Sequence, residues 1–351
     1  KFPMPRVDWE KKALSWALCW FPLVGLAVGA VLWLWLALAG WLVFGAVFTA
    51  ALALVMSFML VLAGCGNSAS SSSSGGAKAV QSLSASDKDL RISVLNVGQA
   101  DATLIQYKGK NMLIDTGEVD SRADLVKQLK ERKVKDIDII VITHPHGDHL
   151  GGMAELFKDF KIKQIYDNGQ SANTAMYRNY LKNIKAKNIA YKTLKKGDTF
   201  TLGDDVTFTV LSPGTPFTKE NTQSVSESGL TNDNSIVCKM TYGQFSMMFT
   251  GDAQKEVEEK ILKDYKPADL KADVLKVGHH GSKTSSSDAF VKAIAPKAAT
   301  ISCAAGNQYK FPHEPTLKTL QKYNVEVYRT DRNGVITITT DGSSYSIEKE
   351  H

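Results

Sequence analysis

From about Asp87 onward the sequence predicts an α/β domain, two successive strand-and-helix halves making a sandwich of sheets covered by helices, preceded by an N-terminal membrane segment. Three observations carry that expectation. Short apolar runs alternate with amphipathic helical stretches over residues 88–351, and the alternation occurs twice. Ahead of it, no charged residue occurs from Ala13 to Ala77. At 351 residues the chain has room for one large or two modest domains.

Residues 1–12 form a short basic N-terminus, with Lys1, Arg6, Lys11 and Lys12 against Asp8 and Glu10. Residues 13–64 are apolar and long enough for two spans of about 20 residues each. The stretch "LAGC", Leu62 to Cys65, resembles the lipobox of bacterial lipoproteins, in which the cysteine is lipidated after cleavage. Residues 65–87 are Ser- and Gly-rich, a flexible tether between a lipidated Cys65 and the domain. This reading expects a membrane-anchored, extracytoplasmic domain. The alternative is a two-span hairpin that returns the domain to the cytoplasmic side, because a secretory apolar segment is normally only about 7–15 residues long.

Within the domain, "LRISVLNV" and the pair in "ATLIQYKGKNMLIDTG" read as strands, the pair joined by a Lys-Gly turn. "SRADLVKQLKERKV" has helical periodicity, "DIDIIVIT" is a buried strand, and "GGMAELFKDF" opens a helix whose free amides lie near Asp148 and His149. "IKQIYD", a helix near "NTAMYRNYLKNIKA" and strands in "DTFTLGDDVTFTVLSP" follow. The second half has two strands in "SIVCKMTYGQFSMMFTGDA", a helix in "AQKEVEEKILKDY", a strand "ADVLKVG" and a helix "SSDAFVKAIAP". "KAATISCA", "VEVYRT" and the Asp-Gly hairpin "GVITITTDGSSYSI" complete it.

The stretch "VITHPHGDHLGG" places His144, His146, Asp148 and His149 within six residues. Imidazole and carboxylate are common ligands of Zn²⁺ and similar ions, and only seven histidines occur in the chain. Two more, His279 and His280, follow "VLKVG", and His313 lies in "NQYKFPHEPTL". Loops after strands at one edge of a layered fold converge, and Asp252 in "FTGDA" joins this group. Cys238 and Cys303 sit in apolar strand contexts and read as buried thiols. A formal charge of +6 permits an anionic partner without requiring one; the lysine-rich stretches "DLVKQLKERKVK" and "LKNIKAKNIAYKTLKK" suit a solvated face or a phosphate track.

In order along the chain, "VLNVGQADATLI", "LIDTG", "THPHGDHLGG", "LSP", "NDNSIV", "FTGDA", "LKVGHHGSKTSSS" and "YRTDRNGVI" resemble the metallo-β-lactamase superfamily. Within it the chain is similar to the ComEC branch, the extracytoplasmic hydrolase domain attached to the competence DNA channel. The resemblance implies a four-layer αββα sandwich with its site at one edge. It implies two divalent ions, Zn or Mn. His144 and His146 would hold one, Asp148 and His149 the other, and Asp252 would bridge. One of the next pair would complete the second site, with His279 preferred as ligand and His280 facing the substrate.

The chain departs from the superfamily in one respect: no histidine occurs from Leu150 to Gly278, where a third ligand of the first ion is usual. Asn234 or Asp233 of "NDNSIV" is the expected substitute, and an oxygen-richer set moves preference towards Mn²⁺. Asp115 reads as orienting a ligand histidine. Asp101 and Ser282 are candidates for the substrate side, and His313 for a proton donor or phosphate ligand.

Two adjacent ions lower the pKa of a shared water and polarise a phosphoryl oxygen, which suits phosphodiester hydrolysis. The expected activity is therefore an extracytoplasmic phosphodiesterase or nuclease acting on DNA, with Asp148, His280 and His313 as catalytic candidates. A cell-wall phosphodiesterase acting on teichoic acid or phosphorylcholine esters is the alternative, and a non-catalytic DNA-binding or competence assembly module is a third reading. Residues 13–64 are too short for a multi-span channel, so a free-standing hydrolase is expected.

Overall fold

The computed structural model describes residues 89–351. The N-terminal segments and the lipidation site at Cys65 lie outside the described residues, among which no helix is long and apolar enough to cross a membrane.

The first half opens with an antiparallel meander, β1 (Leu90–Val94), β2 (Thr103–Tyr107) and β3 (Lys110–Ile114). Lys108 and Gly109 both take positive φ in the tight turn between β2 and β3, the geometry that matches strand twist. Three parallel steps follow. Helix α1 (Arg122–Glu131) leads to β4 (Asp136–Val141), and helices α2 (Gly147–Leu150) and α3 (Met153–Asp159) lead to β5 (Lys161–Asp167). Helix α4 (Ala175–Ala186) leads to β6 (Ala190–Thr193).

The second half runs β7 (Thr199–Leu202), β8 (Val206–Ser212), α5 (Glu227–Asp233), β9 (Val237–Tyr242) and β10 (Phe245–Phe249). It continues with α6 (Lys255–Asp264), α7 (Pro267–Leu270), β11 (Val274–Lys276), a 3₁₀ turn at Gly278–Gly281 and α8 (Asp288–Ile294). Then come β12 (Ala298–Ile301), α9 (Glu314–Lys322), β13 (Glu326–Arg329) and α10 (Thr330–Asn333). The closing hairpin, β14 (Ile336–Thr340) and β15 (Tyr345–Lys349), returns to the first half, where β14 pairs with β1.

The strands form two sheets, one of eight in the order β15-β14-β1-β2-β3-β4-β5-β6 and one of seven in the order β13-β12-β11-β10-β9-β8-β7. Alternation along the strands sets the layers. Ile105, Val141, Met247 and Val274 point between the sheets, where Phe200 and Phe208 stack with centroids 4.8 Å apart. Their neighbours Leu104 and Ile140 point outward against Leu125 and Leu156 of the helices on that side. Met248 and Leu275 do the same against Val257 and Phe290. Both faces of each central strand are thus covered by apolar groups, giving the αββα sandwich expected from the motifs.

Three elements escape the sequence pattern. Strand β6 is exposed at every residue and so carries no apolar alternation. Helix α5 is short and polar, capped by Ser226. The stretch after His313 is not a loop but helix α9, with a proline in its first turn, where a missing N–H costs nothing. The "GGMAELF" helix also starts later than its cluster: Asp148 and His149 belong to the separate turn α2.

Gly152 lets that turn sit against the β3 end. A Cβ there would lie 2.1 Å from the carbonyl oxygen of Thr116 and 2.6 Å from Leu125. Gly152→Ala should destabilise the domain by about 3 kcal/mol and lower Tm by roughly 6–12 °C, read by thermal unfolding against the parent chain.

Candidate active site

The chemistry-bearing residues all follow the C-terminal ends of strands. Asp115 follows β3, His144 and His146 follow β4, Asp252 follows β10, and His279 and His280 follow β11. Hydrophobic strand burial brings these ends to one edge, and the loops turn their side chains inward. His279 and His280 both adopt left-handed backbone, φ 50° and 52°, a conformation that costs energy away from glycine and persists where the surroundings demand it. Gly281 at φ 84° follows, packed so closely on Pro312 that a Cβ would lie 2.4 Å away.

Asp252 lies at the centre, 2% exposed. Its Oδ1 is 3.3 Å from His149 Nε2, and its Oδ2 is 4.0 Å from His144 Nε2 and 3.7 Å from the Nε2 atoms of His279 and of His280. Asp148 Oδ2 lies 3.2 Å from His280 Nε2 and 3.8 Å from His149 Nε2. His144 Nε2 and His146 Nδ1 face each other at 2.9 Å.

The outward nitrogens are tied back. His149 Nδ1 donates to Asp115 Oδ2 at 2.8 Å, while Asp115 also accepts from the N–H and hydroxyl of Thr143. His280 Nδ1 donates to the carbonyl of Ser302 at 3.0 Å. His144 Nδ1 lies within reach of the Thr143 and Ser235 hydroxyls, and His279 Nδ1 within reach of Thr284. Each tie turns the other nitrogen towards Asp252 or His146, as a ligand lone pair needs.

The resulting electrostatics call for a cation. His149 Nε2 and Asp252 Oδ1 are buried and make no hydrogen bond. Burial would lower the pKa of His149, yet the carboxylates of Asp252, Asp115 and Asp148 outweigh it and hold the imidazole well above its ordinary value. His280 is likewise pushed up to about 9, burial being overcome by Asp252, Asp101 and Asp148. Asp252 itself is held well below the carboxylate range, burial being outweighed by His149, His280 and His279. His144, buried and beside His149, goes the other way and is lowered. Such groups fit divalent ions: Asp101, His149, Asp252 and His280 offer atoms all within 4.8 Å of one another.

The candidates expected from the sequence fall into different surroundings. His279 and His280 both lie 3.7 Å from Asp252 Oδ2, but only His280 also reaches Asp148 and, at 1% exposure, it sits deeper. Asp101, expected on the substrate side, is buried with Lys276 Nζ 2.9 Å from its carboxylate, an ion pair that holds its pKa down against burial. Asn234 is consumed by the backbone of Phe217 and Leu230, and Asp233 by Ser224, Thr222 and Gln254, so neither replaces a ligand. Ser282 bonds within its own loop to Thr284.

His313 caps α9 beside the site, its Nδ1 accepting from the N–H of Lys283 at 3.0 Å. The ring of Phe311 touches His279, His280 and His313 alike. Asn232 escaped the sequence reading. It is buried with an unpartnered Oδ1, and its Nδ2 lies 3.4 Å from His279 Nε2. Nothing separates it by type from Asn234 two residues on; only the end of α5 decides which faces inward. Cys238 and Cys303 are both buried free thiols, as expected.

A layered αββα fold with buried histidines and carboxylates gathered at one edge defines a metal-dependent hydrolase. The chain belongs to the metallo-beta-lactamase superfamily, whose family model matches residues 95–305. A second model, cobalamin-5-phosphate synthase, matches residues 1–65, before the described part. The chain is 30% identical over 263 residues to ComE operon protein 3 of Bacillus subtilis (strain 168), covering 70% of this chain and 32% of that protein. It is 29% identical over 252 residues to Recombination protein 2 of Haemophilus influenzae, covering 71% and 28% respectively. These relatives bear out the resemblance to the ComEC branch, and the chain spans about a third of their length. The fold protein YhfI from Bacillus subtilis aligns with 72% of this chain and 100% of its own at 13% identity and a TM-score of 0.49.

Removing the buried acceptor behind His149 should loosen its hold on an ion. Asp115→Ala should lower divalent-metal affinity by roughly 10–100-fold, measured by competition with a chromophoric chelator.

Proposed function

We propose that the domain is a phosphodiesterase that cuts DNA with a pair of divalent ions, Zn or Mn. The observation that carries the reading is the doubled ligand set around the one carboxylate of Asp252. His144, His279 and His280 bring their Nε2 atoms within 4.0 Å of its Oδ2 and His149 Nε2 lies 3.3 Å from its Oδ1, while His146 stands against His144, and Asp148 against both His149 and His280. His279 would thereby supply the nitrogen that the stretch Leu150–Gly278 lacks, one member of the pair serving each ion. Bound there, two ions lower the pKa of water and withdraw charge from a phosphoryl group.

The chain's own residues supply the rest. Asp115 and the Ser302 carbonyl fix the tautomers of His149 and His280, so that neither ring turns during turnover. Asn232, neutral and buried, directs its Nδ2 at His279 Nε2 and so bears on the position of that ring. His313 accepts from Lys283 at Nδ1, which in the neutral ring leaves its proton on Nε2, the tautomer of a donor to a leaving oxygen. Relatives named for competence and recombination support DNA as substrate. The apolar residues 13–64, with Cys65, would hold the domain at the outer face of the cell membrane, the two-span cytoplasmic arrangement being the other topology.

One observation favours the cell-wall alternative. The cleft beside Asp148, about 540 Å³, is lined by Glu118, Asp120, Asn307 and Tyr309 and by no lysine or arginine. Such a wall suits a neutral or cationic group, choline among them, better than further phosphates.

The full chain, solubilised and loaded with Mn²⁺ or Zn²⁺, should hydrolyse both bis(p-nitrophenyl) phosphate and DNA, and Asp148→Ala should do neither. Diester turnover without DNA cleavage would move the assignment to cell-wall esters. Turnover undiminished after complete metal removal would sink the mechanism. Metal content should fall in both variants, His279→Ala and His280→Ala each retaining about one ion of two. His313→Gln should slow DNA cleavage by roughly 10²-fold or more while sparing the p-nitrophenyl ester, whose leaving group needs no proton.

A further inference from the structure

The two lysine-rich stretches differ both in their acidic content and in their surroundings in the folded domain. On α1, Lys127 pairs with Glu131 and Lys130 with Asp159. Across α4 and β6 the situation is otherwise. Residues 168–197 hold Arg178, Lys182, Lys185, Lys187, Lys192, Lys195 and Lys196 and no acidic residue at all. Among the described residues, Lys196 alone of these makes an ion pair, with Asp264. The other six are exposed. Arg178, Lys182 and Lys185 follow one another at helical spacing on one face of α4, and Lys192 stands on the open edge strand of the eight-stranded sheet.

Two large apolar groups are interleaved with this charge, Leu181 and Tyr191, each 39% exposed. The hydroxyl of Tyr191 is held by Asp167 at 2.7 Å, which fixes the ring while leaving part of it in solvent. The loop that enters α4 joins this face to the site. Asn168 donates to the carbonyl of Asn234 and Gln170 to Thr231, both on the segment that presents Asn232. Met176 packs within 3.8 Å of where a Cβ on Gly147, beside Asp148, would stand.

We propose that the α4–β6 face is the track along which a single-stranded phosphodiester chain, DNA, reaches the site. Unpaired ammonium groups neutralise phosphates and release counterions, and fixed aromatic rings stack bases without reading them. The cleft beside Asp148 carries Glu118 and Asp120 and no lysine or arginine, so the basic α4–β6 face is the better surface for a polyanion. This inference rests on the nuclease reading, and binding can be tested apart from cleavage.

The test uses the full chain carrying Asp148→Ala, so that DNA stays intact, and fluorescein-labelled oligodeoxythymidylate as probe. Lys182, Lys185, Lys187 and Lys192 are changed together to Gln, and in a control chain Lys127, Lys130, Lys133 and Lys135 are. The track variant should bind more than about tenfold more weakly at low salt, and its salt slope should fall by up to ~0.7 per lysine removed. The control should keep both. In chains with Asp148 intact, the track variant should lose DNA cleavage but not bis(p-nitrophenyl) phosphate turnover. Equal weakening in both variants, or unchanged affinity and slope in the track variant, would overturn the proposal. So would DNA binding that stays intact while binding to phosphatidylglycerol vesicles is lost, which would make the face a membrane contact. Lysine-dependent binding by a chain that cleaves no DNA would instead overturn the nuclease reading and leave the track standing.

Discussion

Asp252 is a carboxylate with almost no access to water, set among four imidazoles from both halves of the fold. Burying such a charge is costly unless it is paired, and the nearest partners here are nitrogens whose lone pairs point the same way as its own. A cation between them removes the conflict, whether protons on His149 and His280 or metal ions. The surrounding architecture serves that requirement. Asp115 behind His149 and Ser302 behind His280 keep the lone pairs aimed, and the two sheets hold the loops that carry them at a common edge.

A second buried charge pair stands directly behind the first. Lys276 and Asp101 are both nearly inaccessible, one from each half of the sandwich, and Asp101 also donates its N–H to the carbonyl of Asp148. The pair therefore couples the register of β11 to the position of α2. Its ammonium shares the Asp101 carboxylate with the group formed by His149, Asp252 and His280.

Charge is distributed unequally about the site. The cleft next to Asp148 is acidic, whereas the α4–β6 face is basic and largely free of counter-charges. An extended anion meets opposite conditions on the two sides, so orientation relative to the ions is set before any contact with the ligands. Within a superfamily that shares one fold, such surroundings are where substrates are told apart.

The layers and the kind of chemistry can be read from residue order alone. Period-two burial is written into strands such as "TLIQY" and "DIDIIV", and scarce histidines gathered after "IIVIT" and "VLKV" have few uses other than holding a cation. The orienting place of Asp115 was also readable, because an acid at a strand end beside a ligand cluster has a known use. Which ring of the pair goes deeper was not, since it depends on two left-handed residues that no pattern announces. Nor could Asn232 be told from Asn234, or Asp101 be seen to belong to Lys276, 175 residues away. The first lysine run already carries Glu131, which pairs with Lys127 one turn away, but only folding brought Asp159 to Lys130 and left most of the second run in solvent. Local composition fixes what a residue can do; only the packed chain decides which partner reaches it first, because contacts of a few ångströms come from segments far apart in sequence.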